Sequence, residues 1–140
     1  MEYKFTTTCS KHKLKEIRIF VSGILDLYSI SDIKKNELVL AVDEVCANLI
    51  IHSHNCNETE HFDLVVNVQE RSGITFDIID KGMGFNIQKY KEPKLQEIIK
   101  KKQKGGVGLM LVRRIMDKIE FKHERKGNVC RLFKKMDIER

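Results

Sequence analysis

The sequence predicts an α/β (α+β) two-layer sandwich in which a mixed, mainly antiparallel sheet packs against helices. Predicted strands that follow one another in the sequence are joined by short turns, which is typical of antiparallel hairpins. Each predicted helix has one apolar face, and such a face must pack on another element. The chain of 140 residues contains no internal repeat or linker, so we expect a single domain over residues 1–140.

The N-terminal part of the sequence is predicted to form one strand and two helices. Residues 2–8 alternate in character and are β-prone, as in a first strand. Ser10 can cap a helix over residues 11–27, whose apolar side chains recur at helical spacing. Ser31 or Asp32 then caps a second, longer helix.

The second helix carries two stripes of side chains. Its apolar stripe has the 3.6-residue spacing of a core-facing helix and consists of Leu38, Val42, Val45 and Leu49. Its polar stripe consists of Glu44, Asn48 and His52, and the helix is predicted to end near His52. Because polar groups beside an apolar surface must hydrogen-bond or stay in water, this stripe is either a solvated outer face or the wall of a polar site.

Four further strands are predicted at residues 62–69, 74–80, 119–124 and 128–136. The turns Arg71-Ser72-Gly73 and Arg125-Lys126-Gly127 join them into two hairpins. Asp80 ends its strand on the same face as the inward-pointing Ile78. A carboxylate in that position needs a partner.

Two glycine-rich segments lie between the two hairpins. Gly82 and Gly84 let the backbone turn tightly and let a ligand come close. Residues 104–108, Lys-Gly-Gly-Val-Gly, open a predicted helix whose free N–H groups form a ready anion site. Between them we expect a mobile, lysine-rich excursion over residues 86–104, with a short helix near residues 95–101.

Composition argues against several classes of protein. No apolar run approaches the ~18 residues that cross a bilayer, and the N-terminus lacks the features of a signal peptide, so we expect a cytoplasmic protein without membrane contact. Residues 89–104 hold seven lysines and two glutamates, which accounts for most of the net charge of +6. Because no aromatic residues alternate with these lysines in the manner of a base-stacking platform, we expect no direct contact with nucleic acid.

The four cysteines are Cys9, Cys46, Cys56 and Cys130, and they form no CxxC pair. Cys46 and Cys130 lie in apolar patterns, so we expect free thiols in a reducing compartment. The segment from His52 to Cys56 offers three possible zinc ligands. Zinc usually takes four, and the sequence shows no second pair at matching spacing.

The polar groups together match the needs of a nucleoside triphosphate. One carboxylate can accept a hydrogen bond from an exocyclic amine, an asparagine oxygen suits Mg²⁺, and amides with a lysine hold phosphates. A second carboxylate can act as a general base. The Rossmann alternative fails because no βαβ unit surrounds the first glycine turn, and the P-loop alternative fails because GxxxxGK[ST] is absent.

ExxxN on a helix, DxGxGF after a strand and GGxGL opening a later helix resemble the Bergerat-type ATP-binding fold of the GHKL group. The segments AVDEVCANLIIH and GGVGLMLVRRIMD are most similar to those of the anti-sigma-factor serine kinases. The resemblance covers nearly the whole chain. It implies that residues 86–104 form an ATP lid.

The resemblance also implies roles for single residues. Glu44 matches the catalytic carboxylate that activates the attacking hydroxyl, and Asn48 matches the Mg²⁺ ligand. Asp80 matches the carboxylate that binds the adenine amino group, with Gly82 and Gly84 in the turn below the nucleotide.

The resemblance implies phosphate contacts from the later helix. Gly106, Val107 and Gly108 match the phosphate-binding amides. Lys104 stands where these kinases often place an arginine that reaches the terminal phosphate, and lysine lacks the bidentate fork of arginine. His52 is interpreted as a helix-end group near the phosphates or the waters of Mg²⁺.

The resemblance implies an ATP- and Mg²⁺-dependent serine/threonine protein kinase that phosphorylates a STAS-type anti-sigma-factor antagonist and also binds a sigma factor, as a homodimer. The alternatives are an ATP-binding regulatory module with little kinase activity, a standalone GHKL ATPase, and a histidine-kinase-like ATP-binding domain. A threonine that these kinases often place near adenine on the last strand is absent. Cys130 or Arg131 is expected in that neighbourhood.

Overall fold

A computed structural model of the protein describes residues 1–52, 61–80, 104–125 and 127–139, and gives only the backbone of residues 51–52 and 104–109. Gly82, Gly84 and most of the predicted lid therefore lie outside the described residues, as do the short helix predicted within the lid and the possible zinc ligands His54 and Cys56. Among the described helices, none is both long enough and apolar enough to span a membrane.

The first strand and helix form much as predicted. Strand β1 spans Glu2–Thr8, and the Ser10 hydroxyl accepts a hydrogen bond from the His12 N–H at 3.3 Å. This cap opens a 3₁₀ turn, Lys11–Lys13, that leads directly into helix α1, Leu14–Leu25.

Helix α2 spans Asp32–His52 and ends where the sequence predicts. The structure selects Ser31 as its cap, because the Ser31 hydroxyl accepts a hydrogen bond from the Lys34 N–H at 3.2 Å. All four side chains of the predicted apolar stripe are at most 5% exposed, which confirms the stripe: Leu38, Val42, Val45 and Leu49. Helix α2 packs against both α1 and the later helix α3, which spans Lys104–Ile115.

The remaining strands are β2, β3, β4 and β5, which span His61–Gln69, Gly73–Asp80, Lys118–Glu124 and Gly127–Lys135. They form a sheet in the order β1-β2-β3-β5-β4 with four antiparallel pairings. The two-layer sandwich is confirmed, but the described strands show no parallel pair, whereas a mixed sheet was expected. Strands β3 and β4 do run parallel, and β5 lies between them, so they never share hydrogen bonds.

The core lies between the sheet and the helices. Alternate residues of the central strands fill it, for example Leu64, Phe76 and Leu132, each fully buried. The C-terminal segment adds a residue that the sequence did not predict, because Ile138 is also fully buried. Its backbone is held by the Arg71 N–H, which donates to the Ile138 carbonyl at 3.1 Å.

The cysteines follow the prediction in part. Cys46 and Cys130 are free and buried, and burial raises the pKa of both thiols, so they are inert core residues. Cys9 differs from the expectation of free thiols, because it is disulfide-bonded to a partner outside the described residues.

Two glycines provide a matched test of this fold. Gly73 has φ +153°, and an added Cβ would collide with the Lys134 carbonyl oxygen across the β3–β5 pairing. Gly23 is exposed in α1 and has open space around its Cα. We expect Gly73→Ala to lower the free energy of unfolding by about 3 kcal/mol and Gly23→Ala to raise it by about 1 kcal/mol. Urea unfolding followed by circular dichroism measures both, and a neutral Gly73→Ala would contradict the strained conformation.

Candidate functional site

The polar stripe of α2 is partly buried. Asn48 is 4% exposed, and its side-chain N–H donates to the Glu44 carbonyl oxygen at 2.7 Å. This bond turns the amide nitrogen toward its own helix, and the amide oxygen is the atom of this side chain that suits a cation. The Glu44 side chain lies one helical turn before Asn48 and is half-buried, whereas the side chain of His52 lies outside the described part of the chain.

Asp80 lies on the sheet surface that faces the helices, as its parity predicts. It is 5% exposed and is the last residue of β3. The register places it in the last cross-strand row that runs through all five strands at this end of the sheet, which consists of Thr7, Phe62, Asp80, Asn128 and His123. The carboxyl group thus belongs to a polar end of an otherwise apolar interlayer surface.

Asn128 is a candidate site residue that the sequence analysis did not name. It stands directly opposite Asp80 in the β3–β5 pairing, and its amide oxygen lies 2.6 Å from Nδ1 of His123. Of the two residues expected in this neighbourhood, Cys130 lies on the same face of the sheet as Asn128, opposite Ile78, whereas Arg131 projects from the other face. The pairing of β3 with β5 would have revealed Asn128, but this register cannot be read from either strand alone.

Helix α3 begins at Lys104, which confirms that the glycine-rich segment opens a helix. Its first turn contains no acidic residue, so no carboxylate within that turn competes for its free N–H groups. Gly106 and Val107 fall in this first turn, and Gly108 follows it. Because α3 packs against α2, the glycine-opened helix and the helix of Glu44 and Asn48 are neighbours.

The surroundings of Glu44 disfavour its charged form. Burial raises the pKa of the Glu44 carboxyl, and the charge of Asp43 raises it further. Asp43 is itself paired across the helix interface, since Arg18 of α1 donates to its carboxylate at 3.0 Å. A half-buried carboxyl with a raised pKa is a suitable general base.

A cavity of about 430 Å³ lies on the opposite face of the sheet and contains none of the predicted site residues. The two buried carboxylates that line it accept hydrogen bonds from other side chains of the protein. Asp77 accepts two hydrogen bonds from Arg131, at 2.7 and 2.9 Å, and Asp63 accepts one from Thr6 at 2.7 Å. This cavity therefore lacks the combination of carboxylate, amide and helix start that the sequence predicts for the nucleotide site.

Residues 7–134 match the sequence profile of the histidine kinase-like ATPase domain. The chain belongs to this family. Membership implies that the protein uses ATP, as the resemblance suggested. The residue roles that the resemblance implied stay predictions.

The chain is similar to proteins named serine-protein kinase RsbW. It is 27% identical over 111 residues to one from Oceanobacillus iheyensis, covering 76% of this chain and 70% of the relative. It is 30% identical over 115 residues to one from Halalkalibacterium halodurans, covering 77% and 67%. A Bacillus licheniformis protein is 31% identical over 115 residues, covering 74% and 66%. The matches thus span about two thirds of the relatives' length.

The fold is shared with a solved structure, that of the RsbU and RsbW domains of a Mycobacterium tuberculosis protein. The TM-score is 0.66 at 12% identity, and the match covers 96% of this chain. This chain corresponds to 32% of that longer one. The likeness confirms the fold that the sequence resemblance implied.

The charges around Glu44 generate a testable prediction. We expect Asp43→Asn to lower the pKa of Glu44, because a negative charge is lost and Arg18 loses its partner. Arg18→Ala should raise it, because Asp43 is then uncompensated. Carbon-13 NMR of the Glu44 carboxyl, in protein free of Mg²⁺ and ATP, measures both shifts. Asp32→Asn, at an aspartate 94% exposed on the same helix, is the control. The same Glu44 pKa in all variants would contradict the electrostatic assignment.

Proposed function

We propose that this protein is an ATP- and Mg²⁺-dependent serine/threonine protein kinase that acts as an anti-sigma regulatory factor. The observation that carries the proposal is the position of Glu44, half-buried and one turn before the buried Asn48 on a helix that packs against the glycine-opened helix α3. The similarity to serine-protein kinases and the family membership support it.

Each residue has a part in this mechanism. Glu44 takes the proton from the hydroxyl of a serine as the oxygen attacks the γ-phosphorus, so that phosphoserine and ADP form. The first-turn N–H groups of α3, with Lys104, hold the phosphates. When bound, Mg²⁺ neutralises charge on the phosphates, and one neutral oxygen from Asn48 suits an ion that usually retains several waters.

Adenine recognition is assigned to the polar end of the sheet. Asp80 accepts a hydrogen bond from the exocyclic amine, and Asn128 stands beside it to position the carboxylate. Gly82 and Gly84 are proposed to form the turn below the base, and His52 to lie near the phosphates. These assignments rest on the sequence, because those glycines and the His52 side chain lie outside the described residues.

The proposed acceptor is a STAS-type anti-sigma-factor antagonist, and the proposed second partner is a sigma factor. We further propose that the protein acts as a homodimer in the cytoplasm, where both partners would be found. These partners follow from the resemblance to anti-sigma-factor kinases.

Lys104 favours one alternative. Because lysine lacks the bidentate fork of arginine, a site with Lys104 can hold ATP yet transfer its phosphoryl group slowly. The protein would then be a nucleotide-binding module whose partner affinity depends on ATP. Incubation with γ-labelled ATP and a purified STAS-domain antagonist separates the two functions. Label on the antagonist supports the kinase, whereas ATP-dependent binding without label supports the module, and free phosphate without a labelled acceptor supports an ATPase.

Glu44→Ala tests the general base. We expect phosphotransfer to fall by about 100-fold or more, because proton transfer to a positioned base contributes about 10²–10⁴-fold. The Kd for ATP should change little, since Glu44 is assigned to the hydroxyl and not to the nucleotide. Glu70→Gln, at an exposed glutamate between β2 and β3 at the end of the sheet away from Asp80, is the control and should remain active. A Glu44→Ala variant with normal transfer would refute this mechanism.

Asp80→Asn tests the adenine contact. The neutral amide keeps the size of the side chain but weakens acceptance from the exocyclic amine, so we expect ATP to bind about tenfold or more weakly. Isothermal titration calorimetry with ATP measures this effect. Asp63→Asn, at an equally buried carboxylate on the opposite face of the sheet, should leave ATP affinity within about twofold. Equal losses in the two variants would count against Asp80 as the adenine ligand.

A further inference from the structure

Helix α2 exposes large apolar side chains on one outward stripe. Ile33 is 76% exposed and Leu40 is 39% exposed, seven residues apart. Glu44 follows Leu40 by four residues, so the stripe leads directly to the proposed general base. The opposite side of the helix is occupied, because its apolar stripe is buried in the core.

The charged groups beside this stripe are paired within the protein. Arg18 binds Asp43 at 3.0 Å. Lys34 lies 4.0 Å from Glu37. Glu37 lies on the stripe itself, between Ile33 and Leu40, so the stripe presents two apolar side chains separated by one ion-paired carboxylate.

Leu40 lies close to Glu44 along helix α2. At 1.5 Å per residue, Leu40 lies about 6 Å along the helix from Glu44, and Ile33 lies about 16 Å from it. A protein interface of standard size buries about 800 Å² per partner, equivalent to a disc of roughly 16 Å radius. A footprint of this size centred on Glu44 would contain Leu40 well inside it and would reach Ile33 only at its rim.

We propose that Leu40 is the central docking residue for the protein acceptor, which presents its serine beside apolar side chains of its own. This inference rests on the proposed function, because it places the acceptor hydroxyl at Glu44. Ile33 contributes at the edge of the same contact. The apolar contact determines affinity for the acceptor, and Glu44 determines the chemistry.

The test compares three serine substitutions at exposed apolar residues. Leu40→Ser should raise the KM for a purified STAS-domain antagonist by about tenfold, because central, desolvated contacts dominate binding. Ile33→Ser should raise it less than about twofold, although Ile33 is the more exposed. Leu27→Ser is the matched control: Leu27 is 48% exposed, and its neighbour Asp26 is bonded to Lys35, nine residues before Glu44. The Kd for ATP, measured in parallel, should be the same in all three variants.

The order of the KM changes among the three variants decides the outcome. An unchanged KM in Leu40→Ser, or a larger effect in Ile33→Ser or Leu27→Ser, would overturn the docking assignment while leaving the kinase intact. Wild-type protein that transfers no phosphate would instead refute the proposed function. In that case the Kd of the ATP-loaded protein for the same antagonist is measured for each variant. Weaker binding in Leu40→Ser alone supports the surface, and no antagonist binding by the wild type refutes it.

Discussion

Helix α2 is constrained on several sides at once, since it packs against α1, against α3 and over the sheet. Residues around much of its circumference are therefore apolar and buried, including Ala41 and Cys46 beside the main core stripe. A polar side chain on such a helix is tolerated only at its margins, where a hydrogen bond or a ligand is available. Asn48 meets this condition by donating to its own helix backbone, and Glu44 meets it by remaining half-exposed.

The buried carboxylates on the two faces of the sheet have different surroundings. On the face away from the helices, the buried carboxylates Asp63 and Asp77 are held by Thr6 and Arg131. The buried carboxylates of that face thus have hydrogen-bond partners within the protein, even though the face contains a sizeable cavity. On the helix-facing side, Asp80 lies at the end of a strand between Phe62 and Asn128, next to the layer that carries the other predicted site residues. In this protein the types of side chain present indicate the candidate site better than cavity volume does.

In the proposed function, neighbouring surfaces contact different parts of the two substrates. The interlayer end of the sheet is suited to a base, the start of α3 to phosphates, and the margin of α2 to the reacting hydroxyl. Beyond that margin the helix exposes Leu40 and Ile33, about one and three turns before Glu44. The Arg18–Asp43 pair links α1 to α2 next to Glu44, so the charge around this carboxyl depends on how two helices pack.

Features set by neighbours in the sequence could be predicted from the sequence alone. Helical spacing identified the two stripes of α2, alternation and turn residues identified the hairpins, and glycines marked the start of α3. Features that depend on register between distant strands required the tertiary structure. Only the pairings of β5 show that Asn128 stands opposite Asp80, that Arg131 faces away, and that β5 separates β3 from β4. The physical reason is that a local pattern fixes which face a side chain occupies, whereas its neighbours across the sheet are fixed by packing of the whole chain.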